Sequence, residues 1–441
     1  MKMMNNPTVV NVIGAGLAGC ECAWQLAKRN IQVNLYEAKP TTFTKAHKSK
    51  LFAELICSNS LKAKRTESAA GLLKAEMQLL DSLILQCAYE NEVDAGGALA
   101  VDRDKFSYAV TQKILENPLI NVINEEVCDI NQKEITVIAT GPLTLDKLSS
   151  SIKSLCGDGL YFFDAVAPIV TFDSIDKDKI FFASRYEGND NAYINCPFNK
   201  EEYEHFYNEL VNAQSVELKE VDKSCFRVYE GCMPIEVMAK RGIDTLRFGP
   251  LKPVGLINPK TMHRPWANVQ LRKENNDSTL YNLVGFQTNL KFPEQKRVFS
   301  MIPGLENAEF VRYGVMHRNT FINSPKLLNK DLSLKTNPNI YFAGQISGVE
   351  GYMESAFSGL ITGINIAMRL SGKQPFKLDN ITMIGSLLSY ITDPTVVNFQ
   401  PMGANFGIIK ALDEHIKDKK LRNSLLAKRS LDFLTDYKSD L

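Results

Sequence analysis

The start of the chain alternates apolar runs with a glycine turn, a pattern that predicts a βαβ unit. Residues 8–13 form an apolar run that ends directly in glycines, as buried parallel strands do. Residues 20–30 are rich in helix formers, and Lys28 and Arg29 close the run because cations favour a helix C-terminus. Residues 31–37 alternate apolar and polar positions and end on an acid. The right-handed crossover rule makes the two strands parallel.

The rest of the chain divides into two kinds of pattern. Polar, irregular residues at 39–70 indicate long loops around a site. Between about 143 and 304, strand-like stretches mix with amphipathic helices, so we expect a second, α+β domain inserted into the first. The remaining predicted strands lie at 121–124, 135–139, 192–195, 280–286 and 340–344, and the remaining predicted helices at 71–90, 200–212, 355–370 and 413–432.

Composition and charge narrow the class of protein. The chain has 441 residues, which predicts two or three domains, and its 44% hydrophobic and 23% charged residues are typical of a globular protein. A net charge of +1 neither supports nor excludes nucleic acid, because binding requires a local basic face. The chain contains no apolar run of about 18 residues and no signal-peptide pattern. Nine cysteines without a CxxC motif favour reduced thiols, so we expect a cytoplasmic protein without a metal site or a membrane partner.

The glycine turn has the spacing of a dinucleotide-binding motif. Gly14 permits the tight turn, Gly16 lets the backbone approach a pyrophosphate, and Gly19 allows close packing of helix on strand. The predicted cofactor contacts of this turn are Gly14, Ala15, Gly16, Leu17, Ala18 and Gly19. The helix N-terminus offers N–H groups and partial positive charge to phosphates. Glu37, at the end of the second strand, would accept hydrogen bonds from a ribose and repel a 2′-phosphate. The alternative is a glycine turn that binds nothing.

A second glycine signal favours FAD over NAD. The strand at 340–344 ends in Gly344 and Gln345, and Gly351 precedes a helix whose N-terminus would meet the flavin pyrimidine edge. Gly141 marks another turn of close approach. We therefore predict a Rossmann-like, glutathione-reductase-like FAD-binding domain of the α/β class. Its two parts are expected at 1–142 and 305–441, with the α+β domain inserted at 143–304.

Two cysteine segments suggest chemistry beyond electron transfer. Cys57 lies in a polar loop near several cations, and Cys232 lies between a glycine and a turn proline, with acids and bases nearby. Either setting can lower the pKa of a thiol and make it nucleophilic. Buried packing is the alternative, and nothing local shows that the two cysteines meet.

Several long strings resemble one enzyme family. They are FAELICSNSLKA, GGALAVDR, VIATGPLT, YEGCMPIEVMAKRG, GPLKPVGL, NLVGFQTNL, RYGVMHRNTFINSP and FAGQISGVEGYMESAFSGL. With the glycine turn, they resemble the folate- and FAD-dependent uracil-5 methyltransferases of RNA over residues 9–425. A related glucose-inhibited division protein of tRNA modification shares the fold but fits these strings less well.

The resemblance implies a one-carbon transfer. The unit passes from 5,10-methylenetetrahydrofolate through flavin N5 to C5 of a uridine, forming 5-methyluridine, with NADPH or NADH as the source of electrons. Cys232 matches the nucleophile that adds to C6 of the base. Cys57 matches a second functional cysteine, assigned to proton removal or to protection of the flavin.

The folate and RNA contacts are less specific. Folate candidates are Arg272, His317 and Arg318, although such a histidine is often a structural hydrogen-bonding group. Candidates for the phosphate-binding face are Lys45, Lys48, Lys50, Lys62, Lys64 and Arg65, with the C-terminal basic helix as another. Lys62 stands where the family usually has arginine, and the loop at 41–50 and the string RPWANVQLR also depart from the family pattern.

Those departures leave the RNA target open. We expect the substrate to be the T-loop uridine of tRNA (position 54), and the alternative substrate is a uridine of 23S ribosomal RNA. Two alternative functions of another class also remain. The chain could be a flavoprotein partner in RNA modification that transfers no one-carbon unit, or a flavin-dependent NAD(P)H oxidoreductase that acts on a small molecule.

Overall fold

The fold is that of a computed structural model. It describes residues 8–44, 46–157, 160–165, 167–185, 193–216, 233–275, 277–314, 316–376, 378–396 and 399–438. The strands are β1 (Val9–Ile13), β2 (Gln32–Tyr36), β3 (Ser60–Ala63), β4 (Glu92–Val93), β5 (Ala98–Val101), β6 (Ile120–Ile123), β7 (Thr136–Ile138), β8 (Leu160–Ala165), β9 (Ile169–Thr171), β10 (Phe181–Phe182), β11 (Tyr193–Phe198), β12 (Ala267–Lys273), β13 (Leu280–Leu283), β14 (Phe310–Arg312), β15 (Met316–Phe321), β16 (Ser333–Leu334) and β17 (Asn337–Phe342). The helices are α1 (Leu17–Ala27), α2 (Ala69–Leu79), α3 (Leu83–Glu90), α4 (Arg103–Leu115), α5 (Asp146–Cys156), α6 (Lys200–Asn212), α7 (Ile235–Ala239), α8 (Thr245–Phe248), α9 (Phe292–Phe299), α10 (Ser324–Leu327), α11 (Tyr352–Leu370), α12 (Met383–Thr392) and α13 (Lys419–Lys438).

The first sheet carries the predicted nucleotide-binding unit. Its strand order is β16-β17-β7-β1-β2-β6, with β1 parallel to both β2 and β7. β17 returns to the sheet beside β7, also in parallel, and only β16 runs antiparallel at the edge. Buried apolar side chains of β1, β7 and β17 form one core with α1 and α11. This arrangement confirms the predicted α/β, Rossmann-like fold class.

A second, antiparallel sheet forms the inserted part. Its order is β10-β11-β12-β13-β9-β14, and its apolar face packs with α6 and α9 in a separate core. β14 pairs with β9, and β15 pairs with β8 in a two-stranded ribbon. The inserted part therefore continues past the predicted boundary at residue 304, and the chain rejoins the first sheet only at β16. The domain bounds themselves stay a prediction, because sheet membership alone does not divide the chain into domains.

Two predicted helices have different bounds. The helix predicted at 71–90 is two helices, α2 and α3, because Asp81 has a positive φ of 57° and the Ser82 hydroxyl accepts a hydrogen bond from Leu85 N (3.2 Å). The sequence predicts one helix because the spacing of apolar residues continues across this break. Both helices bury leucines in the same core. The helix predicted at 413–432 is α13, which begins after Asp418, whose carboxylate accepts from Leu421 N (3.0 Å). The loops at 39–70 contain one short strand, β3.

Helices α1 and α11 pack closely against each other beside the first sheet. A Cβ on Gly359 would lie 2.0 Å from the Ala18 carbonyl oxygen, and one on Gly363 would lie 2.8 Å from that of Cys22. The two helix backbones therefore touch, and this contact brings the N-terminus of α11 beside the glycine turn. Within the described ranges, no helix combines the length and the apolarity needed to cross a membrane.

The buried Glu76 joins three helices. Its carboxylate accepts hydrogen bonds from Met383 N (2.7 Å) and Ile384 N (2.8 Å) at the start of α12, and from the Ser430 hydroxyl on α13. Burial raises the pKa of Glu76 from 4.5 to about 7, although these hydrogen bonds oppose the shift. Glu76 therefore caps α12 and holds α13 against α2 (Asn423 on α13 also donates to Glu67 O, 3.1 Å).

Glu76→Gln should flatten the pH dependence of stability. Because the pKa of this acid is higher in the native chain than in the unfolded one, its contribution is complete below about pH 4.5 and is lost as pH rises through about 7. The wild-type protein should lose on the order of 3 kcal/mol across this range relative to the variant, by the usual 1.36 kcal/mol per pKa unit. Guanidinium unfolding at pH 5 and pH 8 measures the difference. The exposed Glu90→Gln is the control, and equal slopes for Glu76→Gln and wild type would contradict the assignment.

Candidate active site

The turn between β1 and α1 is shaped by its three glycines. Gly14 has φ +101°, and a Cβ there would lie 2.8 Å from the Ala139 carbonyl oxygen. A Cβ on Gly19 would lie 1.8 Å from the Gly14 carbonyl oxygen, so α1 packs directly on the turn. A Cβ on Gly16 would meet no atom within 4 Å. Gly16 therefore faces open space in a cavity, where only an incoming ligand would meet the added group.

Glu37 lies at the end of β2 beside this turn. One carboxylate oxygen accepts from Ala15 N (2.8 Å) and the other from Lys39 N (3.0 Å). Each oxygen keeps a further lone pair, because a carboxylate offers about four acceptor positions. The two N–H groups fix the carboxylate at the wall of the cavity, where a ribose could donate to it.

The second helix N-terminus reaches the same cavity. Gly344 has φ +85°, and Gly351, with φ +125°, precedes α11. No side chain caps α1 or α11, so the first N–H groups of each helix are available to a ligand. Gln345 Nε2 donates to Glu350 (2.6 Å), which fixes the loop before α11. Two uncapped helix N-termini at one cavity suit a negatively charged ligand.

One cavity joins all these features. Its walls include Gly14–Ala18, Glu37, Thr140–Leu145, Gly344, Gln345, Cys57 and Tyr352. A dinucleotide fits this donor set, because the cavity offers a ribose acceptor, an open approach at Gly16 and unpaired backbone N–H groups. The structure thus brings together the predicted cofactor residues and one predicted cysteine, Cys57. Gly351 lies just behind this wall, at the start of α11.

Tyr352 holds the loop that carries Cys57. Its hydroxyl oxygen accepts from Cys57 N (2.8 Å) and Ser58 N (3.2 Å) and lies 2.9 Å from Cys57 Sγ. Because two N–H groups occupy the oxygen lone pairs, the phenol hydrogen is left to donate to the sulfur. Burial raises the pKa of Tyr352 well above its usual range, and the neighbouring Cys57 adds to this effect, so the phenol stays protonated. The sequence analysis did not select Tyr352. Its position directly after Gly351, at the start of a helix predicted to meet the flavin, could have indicated a residue of the site.

Arg103 holds the same loop from the first domain. Its guanidinium donates to the carbonyl oxygens of Leu55 (2.9 Å) and Ile56 (3.1 Å), and its Nε lies 2.7 Å from Glu274 Oε2. Both ion-pair side chains are largely buried. Arg103 was also missed, because the sequence places it in a helix start far from Cys57.

Arg272 holds the loop from the second sheet. Its Nε donates to Asn59 Oδ1 (3.0 Å) and its NH2 donates to Ser58 Oγ (2.7 Å), while Asn59 donates to the Lys273 carbonyl oxygen (2.7 Å). Burial lowers the pKa of Arg272. These hydrogen bonds join the buried Arg272 to the Cys57 loop, and its predicted role as a folate contact stays a prediction.

The other predicted residues are spread over several surfaces. Cys232 and Lys45 lie outside the described residues, and of His317 and Arg318 only the backbone is described, in β15. Lys48, Lys50 and Arg65 are exposed. Lys62 pairs with the buried Glu354 (2.7 Å), and Lys64 pairs with Glu92 (2.5 Å), so both are engaged within the protein. In the part of the chain that the structure describes, no group of three or more histidine, cysteine, aspartate or glutamate side chains could hold a metal ion.

These features together define a Rossmann-like dinucleotide-binding protein. They are the glycine turn, the acid at the end of β2 and the cavity that the N-termini of α1 and α11 both reach. A family model for glucose inhibited division protein A matches residues 9–374. A relative from Acetivibrio thermocellus, named methylenetetrahydrofolate–tRNA-(uracil-5-)-methyltransferase TrmFO, is 59% identical over 431 residues, with 98% of each chain covered. A relative of the same name from Bacillus licheniformis is 55% identical over 433 residues, covering 98% of this chain and 99% of its own. The chain therefore belongs to the glucose inhibited division protein A family, in the group that these relatives represent, which confirms the predicted resemblance.

Solved structures agree on the fold. Aquifex aeolicus GidA superposes with a TM-score of 0.70 and 16% sequence identity, covering 99% of this chain and 74% of that one. A second crystal form of the same protein gives a TM-score of 0.69. At this identity the likeness concerns the fold alone.

Gly16→Ala and Gly19→Ala should separate ligand approach from packing. Gly16→Ala should weaken FAD binding at least tenfold and leave the unfolding temperature of the cofactor-free protein unchanged, because its Cβ meets only the cavity. Gly19→Ala should destabilise the cofactor-free protein itself by about 2 kcal/mol or more, since its Cβ overlaps a carbonyl oxygen. Flavin fluorescence titration and thermal unfolding measure the two effects. Undiminished FAD binding by Gly16→Ala would show that the phosphates do not pass this turn.

Tyr352→Phe should slow alkylation of Cys57. The change removes the hydrogen that the phenol donates to the sulfur, so the thiolate loses a stabilising contact. We expect a severalfold lower rate with iodoacetamide at neutral pH, with the profile displaced to higher pH, measured by mass spectrometry of the Cys57 peptide. Tyr390→Phe, which loses a hydrogen bond to Gln400 O far from this loop, is the control. A rate equal to that of wild type would mean that the thiol is the donor.

Proposed function

We propose that this chain transfers a one-carbon unit from 5,10-methylenetetrahydrofolate to C5 of a uridine in tRNA, with FAD as its cofactor. The observation that carries the proposal is the single cavity that runs from Glu37 and the glycine turn to the thiol of Cys57. The nearly full-length likeness to relatives named for this reaction supports it. The product would be 5-methyluridine, at the T-loop position 54.

Different residues of the cavity would bind different parts of FAD. Glu37 would accept from the adenosine ribose, and the backbone at Gly16 with the first N–H groups of α1 would hold the pyrophosphate. The N-terminus of α11 and the turn at Gly141 would meet the flavin end. When bound, FAD supplies the redox chemistry that takes electrons from NADPH or NADH and relays the one-carbon unit.

The thiols would supply the acid–base and nucleophilic steps on the base. C5 of uracil is a poor nucleophile until a group adds to C6, and we assign this addition to the thiolate of Cys232. After C5 has formed its new bond to carbon, a base removes the C5 proton, two electrons and a proton that derive from NADPH or NADH complete the methyl group, and the C6–S bond breaks, which restores the thiolate and the C5=C6 double bond. Cys57, whose sulfur receives a hydrogen bond from Tyr352, is our assignment for the proton removal.

The folate is proposed to lie on the flavin side of the β8–β15 ribbon. We keep His317 and Arg318, both in β15, as the residues that contact it, and assign Arg272 to positioning the Cys57 loop. The reaction would take place in the cytoplasm, where the thiols remain reduced.

A reconstituted reaction tests the function. The full chain with FAD, NADPH and methylenetetrahydrofolate labelled in the methylene carbon should transfer label to an unmodified tRNA transcript, at the T-loop uridine. Cys232→Ala should abolish transfer, whereas Cys128→Ala, at an exposed cysteine, should leave it unchanged. Mapping of 5-methyluridine by nuclease digestion and mass spectrometry measures the outcome. Label in 23S ribosomal RNA alone would contradict the tRNA assignment, and full NADPH turnover on a small molecule without RNA would contradict the methyltransferase.

A further inference from the structure

A segment of the inserted part concentrates positive charge. Residues 240–266, here called the basic face, contain six lysines and arginines and one acid, in a chain whose total net charge is +1. That acid, Asp244, is already ion-paired with Arg247 (2.6 Å). Most of the charged residues of the face are exposed, including Lys240 and Arg264. The face therefore presents a local excess of cations that the total charge of the chain conceals.

The same face exposes large apolar side chains. Phe248 is 85% exposed, Met262 74%, Ile257 63% and Val254 60%, which makes them the most exposed large hydrophobic residues among those described. Isolated exposed hydrophobics are ordinary, but four within one short segment indicate an interaction surface. Cations interleaved with exposed rings and methyl groups are typical of surfaces that contact phosphates and stack on unpaired bases.

Trp266 joins two cations to the edge of the basic face. The Arg247 guanidinium lies 3.8 Å from the centre of the indole ring, and Arg247 Nε donates to the Trp266 carbonyl oxygen (3.0 Å). Lys200 Nζ lies 5.6 Å from the same ring. These contacts fix two cations and one ring at the edge of the basic face, so little side-chain entropy remains to be lost on binding.

The basic face connects to the active site along one strand. Trp266 directly precedes β12, and the other end of β12 carries Arg272, which contacts the Cys57 loop. A strand of this length places the face roughly 20 Å from that loop, at about 3.3 Å per residue. In sequence, the face begins eight residues after Cys232. A polynucleotide with one base in the cavity would have its flanking nucleotides at such a distance.

We infer that the basic face binds the RNA substrate beside the target uridine, through phosphates and through stacking of unpaired bases on Phe248 and its neighbours. The inference rests on the proposed function and deepens it, because it places the RNA on residues 240–266. The loop at 45–65 is a weaker candidate, because Lys62 and Lys64 are engaged with Glu354 and Glu92. A second copy of the chain would gain little from a surface with this charge, because like charges would face each other.

Binding of a labelled, unmodified tRNA transcript to the full FAD-loaded chain tests the inference. Lys240→Gln combined with Arg264→Gln should weaken binding about tenfold and reduce the slope of log Kd against log salt by about two, as expected for two lost phosphate contacts. Phe248→Ala should weaken binding about fivefold or more without changing the slope, because stacking involves no counterions. The matched controls are Lys326→Gln with Lys330→Gln, both exposed near the edge strand β16, and Tyr108→Ala, an exposed ring on α4.

The possible results separate this inference from the proposed function. Failure of the wild-type chain to bind the transcript or to methylate it would overturn the proposed function. Binding by wild type that neither the double variant nor Phe248→Ala alters, with an unchanged salt slope, would overturn the basic face alone. A change in sedimentation of Phe248→Ala from dimer to monomer, with RNA affinity intact, would assign the face to contacts between copies and also overturn the inference.

Discussion

The contact between α1 and α11 is the constraint on which the cavity depends. Helices usually pack with their axes about 8–10 Å apart because side chains separate them. Here Gly359 and Gly363 remove the side chains on one helix, and the backbone of α11 rests on the Ala18 and Cys22 carbonyl oxygens. Only at this separation do the N-termini of both helices point into one cavity. The cofactor site is thus a product of helix packing as much as of the glycine turn.

The reactive loop depends on groups from distant parts of the chain. Arg103 binds two of its carbonyl groups, Tyr352 binds two of its N–H groups, and Arg272 and Asn59 tie it to the second sheet. Each hydrogen bond is ordinary, but together they bind two carbonyl groups, two N–H groups and two side chains of a half-buried loop. A loop held this way presents its thiol in one orientation, which is what a reaction between three bound molecules requires.

The sequence predicted those parts of the structure that depend on residues close together in the chain. The glycine turn, α1 and Glu37 lie within one short βαβ unit, so spacing alone predicts their relation. The bond between Tyr352 and Cys57 joins residues 295 positions apart and leaves no trace in spacing. The hydrogen bond from Arg272 to Ser58 joins residues 214 positions apart, so spacing could not predict it either. The break at Asp81 was invisible because apolar periodicity continues across it. The role of Cys232 remains a prediction, since it lies outside the described residues.

The hydrogen bonds that join the Cys57 loop to Arg272 and Lys273 on β12 also limit how the molecule can move. A hinge motion that separates the two sheets would break these hydrogen bonds and the buried Arg103–Glu274 pair together. The two parts therefore behave as one rigid frame around the thiol. Folate, nicotinamide and RNA must exchange through the mouth of the cavity, one after another, and not by opening the protein like a clamshell.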